Sequence, residues 1–268
     1  MEKAILVVSF GTTYADTRKK TIEACEQDIA AEFPDYSVYR AFTAYGVINK
    51  LEKRDGIHVE TPAEALERLH GEGFHEVIIQ SLHLLPGEEF HNKILTAVGG
   101  WQGRFERFAI GAPIFSSIVD YRAVIEALGR QVEEHTGSPL SALPQNEAVV
   151  FMGHGSKHPA NMAYLALQHL IDKQDLPFLI ANVEAYPELP DILPDLKKRG
   201  AKKVHLMPLM LVAGDHAKND MAGEDEDSWK NVLEREGFDV HLFLHGLGEN
   251  ERFRRIYIDH AREAIASL

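Results

Sequence analysis

The residues of this 268-residue chain best suited to chemistry are histidines and carboxylates that come just past apolar runs. In VVFMGHGS, ANVEAYPE and HLMPLMLVAGDHAKND they are His154, Glu184 and His216. Two neutral imidazoles and one carboxylate, leaving coordination positions open, suit a borderline divalent ion such as Co, Ni, Fe or Zn. A plainer reading competes with this one, because strand-end histidines commonly cap or hydrogen-bond and the chain has 14 histidines to distribute. Asp215 reads as a cap for the helix that AKNDMAGE begins. His83 reads as core or as support for a site, and His91, alone on a predicted helix after PGEEF, as a solvated face.

These residues need elements that bring them together. AILVVSFG (4–11), SVYRAFT (37–43), EVIIQSLHL (76–84) and RFAIGAPI (107–114) are short apolar runs that read as strands. AVVFMGHG (148–155), FLIANVE (178–184), KVHLMPLML (203–211) and DVHLFLHG (239–246) repeat the pattern. Between the first two runs, Ile22, Cys25, Ile29 and Phe33 form one helical stripe. TPAE (61–64) is a capping box with Pro62 in the first turn. Strands alternating with helices imply parallel sheets, whose carboxyl ends form the crevice where ligands bind.

HTGSPLSALPQN (135–146) reads as a linker, which places an N-terminal α/β domain at 1–138 and a C-terminal one at 139–268. The final helical segment is free to pack back on the first domain. The halves also align: VVSFGTT with VFMGHGS matches Phe10 to His154, VYRAFTAY with IANVEAYP matches Phe42 to Glu184, and LLPGEEFHNK with LVAGDHAKND matches Glu89 to His216. Three matches in chain order suggest an internal repeat. NKLEKRDGIHVE (49–60) is the segment expected to be extra in the first half.

Composition removes other classes. A net charge of -13 gives no basic surface for a nucleic acid. No apolar run is long enough for a membrane span, and MEKAILVVSFG lacks the features of a signal peptide, so the expectation is a cytoplasmic protein. The single cysteine, Cys25, excludes an internal disulfide and a four-cysteine cluster. Neither GxxxxGK[ST] nor GxGxxG occurs, so no nucleotide is expected, and GHGS is not a nucleophile elbow. The acidic string GEDEDSW (223–229) reads as solvated loop or an early helix turn.

LVVSFGTTYADT, AFTAYGVINKL, IIQSLHLLPGEEF, VVFMGHGSKH, ANVEAYPE and HLMPLMLVAGDHAKNDMAGEDEDSWK together resemble the CbiK-type anaerobic sirohydrochlorin cobaltochelatases over nearly the whole chain. The resemblance implies a class II chelatase fold: two Rossmann-like α/β domains with parallel sheets, related by pseudo-twofold symmetry, with a cleft between them. It implies ATP-independent insertion of a divalent ion, Co2+ first and Fe2+ or Ni2+ also compatible, into a tetrapyrrole. It carries the metal ligands to His154, Glu184 and His216 and an acidic partner to Glu89.

Metal insertion removes two pyrrole N–H protons, and histidine changes protonation state near neutrality. On that ground His154 is the leading base with Glu89 assisting, while His216 and Glu184 mainly deliver metal. Ser9, Thr12, Thr13 and Ser156, near helix starts after Gly11 and Gly155, are the candidate anchors for the substrate's carboxylates. Two other functions are carried beside this one: a tetrapyrrole or metal carrier without turnover, and a zinc-dependent hydrolase using the same His2Glu set. A duplicated chain can complete its site alone, and homo-oligomerisation through exposed helices stays open.

Overall fold

The computed structural model describes residues 2–101 and 103–268. Eight strands form: β1 Lys3–Ser9, β2 Ser37–Phe42, β3 Glu76–Ser81, β4 Arg107–Gly111, β5 Glu147–Gly153, β6 Phe178–Asn182, β7 Lys203–Leu209 and β8 Asp239–Leu242. They make two four-stranded parallel sheets ordered β2-β1-β3-β4 and β6-β5-β7-β8. Helices cover both faces, so the central strands β1, β3, β5 and β7 are almost wholly buried. That is why they read as continuous apolar runs with little alternation. β3 and β7 stop before their apolar runs do, because Leu82 and Leu211 continue into the turn and stay buried there.

Helix Pro62–Gly71 begins as its sequence predicts: Thr61 accepts from the Glu64 backbone and Glu64 accepts from the Thr61 backbone. Helix Leu189–Lys198, capped at Glu188, holds the same place after β6. Ala65, Leu66 and Leu69 of the former join Leu6, Val77 and Ile79 in one core; Leu189, Ile192 and Leu196 of the latter join Val150, Ala181 and Leu206 in the other.

Packing divides the chain into Met1–Asp120 with Glu251–Leu268 as one unit and Tyr121–Asn250 as the second. This differs from the boundary expected at 138/139. Helix Ile118–Thr136 runs unbroken through the division, ahead of the Gly/Ser/Pro segment. The final helix, Glu251–Ala266, packs on β3 and β4 of the first unit, where the Tyr257 hydroxyl donates to the Leu82 carbonyl at 2.8 Å. Among the described residues no helix is long and apolar enough to cross a membrane.

Strand register refines the repeat. Ser9 lies beside Phe42 as Gly153 lies beside Asn182. Past the strand ends, the Thr43 and Ala44 N–H groups donate to the Ser9 and Phe10 carbonyls, as Val183 and Glu184 donate to Gly153 and His154. Phe10 therefore matches His154, but Ala44 matches Glu184, a correction to the pairing with Phe42. Pairings of Val8 with Ser81 and of Met152 with Pro208 carry Glu89 onto His216, as the sequence alignment had it. The extra length in the first unit is helix Tyr45–Asp55 and the loop after it.

Candidate metal centre

β5 delivers His154 through a turn that only glycine permits on either side. A Cβ on Gly153 would lie 2.3 Å from Asn182 Oδ1, and one on Gly155 would lie 2.8 Å from the Ala185 nitrogen. Gly155 also holds φ +83°, in the region that side chains avoid. Beneath the turn sits buried Tyr164. Burial pushes its hydroxyl up to about 12, although the Gly155 and His154 backbone groups pull it the other way.

β6 delivers Glu184 by extending its ladder beyond the strand: the Glu184 N–H donates to the His154 carbonyl at 2.9 Å, so two of the three candidate ligands share a backbone bond. Asn161 fastens the two loops. Its Oδ1 accepts from Ser156 N–H at 2.9 Å, and its Nδ2 donates to the Tyr186 carbonyl at 2.6 Å.

β7 delivers His216 at the start of a π turn, Ala217–Met221, anchored by fully buried Ala217 and Met221. Single π turns often occur at functional positions. Gly246 lets the loop after β8 lie against the loop after β7, where the Leu247 and Gly248 N–H groups donate to the Met210 and Leu211 carbonyls.

The result is a cluster. Ligand atoms of His154, Glu184 and His216 all lie within 4.8 Å of one another. His154 Nδ1 is 3.9 Å from Glu184 Oε2, and the two imidazoles stand nearly perpendicular with centroids 4.8 Å apart. His154 Nδ1 bonds the Gly155 carbonyl at 2.9 Å, and His216 Nδ1 bonds Asp220 Oδ2 at 2.8 Å. Carbonyl and carboxylate oxygens only accept, so each Nδ1 carries the hydrogen and each Nε2 keeps a lone pair. This is the outer support that metal-binding imidazoles use. The three side chains are 46, 54 and 31% exposed, which leaves room for an entering ion and a second ligand. The strand order reverses between β5 and β7, the place where open parallel sheets bind ligands.

Asp220 escaped the sequence reading, though its spacing of four after His216 on a helical turn was the available signal. Asn161 gave none. Asp215, expected as a cap, accepts from the Asn219 side chain at 3.0 Å.

In the first unit, Glu89 stands at the start of another π turn, Phe90–Leu95, with φ and ψ of −60° and −43°, against −58° and −41° at His216. Its Oε2 is buried without a hydrogen-bond partner. His83 bonds Ser81 at 3.1 Å through Nδ1, and burial pushes its imidazole down to about 4. His91 is exposed and its Nδ1 donates to the Gly87 carbonyl. Of the candidate anchors, Ser9 ends β1 with its Oγ buried and without a hydrogen-bond partner, and the buried Thr12 hydroxyl accepts from Tyr14 N–H within the turn. Thr13 and Ser156 are partly exposed, with Ser156 Oγ accepting from His158 N–H. Large apolar side chains also stand exposed after strand ends: Phe10, Tyr45, Ile118 and Val119 in the first unit, Met162, Tyr186 and Leu244 in the second.

Residues 3–266 match the family model described as Cobalt chelatase (CbiK). The sirohydrochlorin cobaltochelatase of Salmonella typhimurium is 45% identical over 99% of this chain and 97% of its own length. The sirohydrochlorin cobaltochelatase CbiKC of Nitratidesulfovibrio vulgaris is 34% identical over 100% of this chain and 92% of its own. SirB from Bacillus subtilis, solved with Fe3+, shares the fold at a TM-score of 0.68 and 16% identity, covering 100% of this chain and 97% of that one.

Proposed function

The chain belongs to the cobalt chelatase (CbiK) family, and on that premise we propose that it inserts a divalent ion into sirohydrochlorin for cobalamin biosynthesis, with His154, Glu184 and His216 as the residues that deliver the ion. The observation that carries the residue assignment is the convergence of those ligand atoms within 4.8 Å from three separate strand ends. Co2+ is the proposed ion, and the donor set also accepts Fe2+ and Ni2+.

Two imidazoles and a carboxylate replace part of the ion's water shell while leaving positions for pyrrole nitrogens. As those nitrogens bind, two N–H protons must leave. An imidazole cannot hold the ion and a proton on one nitrogen at once. His154 therefore accepts a proton only as it releases the metal, and Glu89, whose Oε2 has no partner, assists as the second base. Met162, Tyr186 and Leu244, exposed in the second unit, offer a surface for the flat macrocycle, and Thr13 and Ser156 are the proposed donors for its carboxylates. The reaction is proposed to need no nucleotide.

Mixing protein, sirohydrochlorin and Co2+ and following the tetrapyrrole spectrum tests this reading. Metallated product appears faster than in buffer if the protein is a catalyst; a carrier gives no acceleration, and a zinc hydrolase ignores the tetrapyrrole. Running Co2+, Fe2+ and Ni2+ in parallel ranks the ions.

A further inference from the structure

A second group of histidines lies within the second unit, apart from the three residues already described. His205 on β7 and His241 on β8 are paired neighbours in register, so their side chains leave the same face of the sheet. His135, in the last turn of helix Ile118–Thr136, covers that face. The His205 ring centre is 5.2 Å from that of His135 and 5.7 Å from that of His241. Two imidazoles bound to one tetrahedral ion through nitrogens about 2.1 Å away have centres roughly 5 Å apart.

The hydrogen bonding repeats what supports the first cluster. His205 donates from Nε2 to Glu147 Oε2 at 2.7 Å, and His241 from Nε2 to Asp239 Oδ2 at 3.1 Å. Burial works to raise the Glu147 carboxyl, but hydrogen bonds from His205 and Lys203 outweigh it and hold it below the usual range. A carboxylate that fixes the hydrogen on one nitrogen leaves the lone pair on the other, which is how outer carboxylates prepare metal-binding histidines. On His205 that other nitrogen, Nδ1, is buried in a residue only 5% exposed and has no hydrogen-bond partner. A buried polar atom without a partner is costly unless something binds it. Burial, and then the neighbouring His205, His241 and His245, push the His135 imidazole below its usual range.

We propose that His135, His205 and His241 form a second site for a borderline divalent ion such as Co2+, Ni2+ or Zn2+, with His205 Nδ1 as its fixed anchor. Among the described residues only the His154 cluster has three ligand atoms already within 4.8 Å of one another. His241 is half exposed and His135 partly so, and these two rings turn to close the site. The second site is therefore the weaker of the two, and it stands independently of the reaction assigned to the first.

The test is Co2+ binding to the full chain with no tetrapyrrole present, measured by equilibrium dialysis with the visible ligand-field spectrum as second readout. The wild type is expected to bind a second, weaker equivalent. H154A/H216A should lose the tighter equivalent and keep the weaker one, and H135A/H241A should do the reverse. Both pairs replace side chains that reach solvent, and circular dichroism checks that each variant is folded. Loss of all binding in H154A/H216A, or a full second equivalent in H135A/H241A, overturns the proposal without touching the assignment of His154, Glu184 and His216.

Discussion

The carboxyl ends of the two sheets have one backbone plan and two chemistries. Strand order, the ladder running past the second strand, and the π turn after the third are common to both units. At the matching positions the second unit carries His154, Glu184 and His216, and the first carries Phe10, Ala44 and Glu89. Gly11 and Gly155 hold the same turn at φ +94° and +83°. The scaffold therefore does not determine the chemistry; three side chains on it do. One edge gathers three side chains with donors suited to an ion, while the other has a single carboxylate, Glu89, with its Oε2 buried and unpartnered.

The strongest way to break the contrast is to remove the ligands. His154→Ala and His216→Ala are each expected to cut kcat/KM for sirohydrochlorin metallation on the order of a hundredfold or more, the scale of a lost catalytic histidine. Circular dichroism should be unchanged, since both side chains reach solvent. Wild-type rates in both variants would remove the assignment. Glu89→Gln should act differently: kcat falls on the order of tenfold while Co2+ affinity measured without tetrapyrrole holds, if Glu89 acts as the proposed base and not as a ligand. A parallel fall in Co2+ affinity would make Glu89 a ligand and erase the contrast. Asp220→Asn sharpens the second unit alone, with Co2+ affinity falling about tenfold, the scale of a lost outer carboxylate. Dialysis against a competing chelator reads that change.

Most of the fold was legible because buried parallel strands write themselves as apolar runs. The three candidate ligands could be picked out because each follows such a run. What failed was tied to interactions that leave no periodic mark. Ala44 takes the place of Glu184 through two backbone hydrogen bonds, and pairing by side-chain resemblance put Phe42 there instead. The division at Asp120 followed from a helix that continues where composition showed no break, and from a final helix whose buried Phe253 and Tyr257 pack on the opposite end of the chain. The hydroxyls of Ser9 and Thr12 looked like anchors from their nearness to the helix start after Gly11. Both are buried, Ser9 as the last residue of β1 and Thr12 in the turn that follows.

His83 offers the smallest and most selective comparison. Register makes it the counterpart of Met210 in the second unit's own sheet, so one unit has an ionisable ring where the other has a thioether. Burial holds the His83 imidazole down at about 4, against 6.5 for a free one. The folded chain therefore binds this proton less readily than the unfolded chain does, and unfolding takes up a proton at any pH between those values. Stability from the neutral ring is complete above about pH 6.5 and drains away as pH falls toward 4. Because the residue keeps some contact with solvent, the loss between pH 7 and pH 5 is about 1–2 kcal/mol. His83→Met, which copies the second unit, should remove that part of the acid sensitivity in urea titrations at the two pH values. An unchanged difference between pH 7 and pH 5 would mean that His83 is protonated as easily in the folded chain as in the unfolded one.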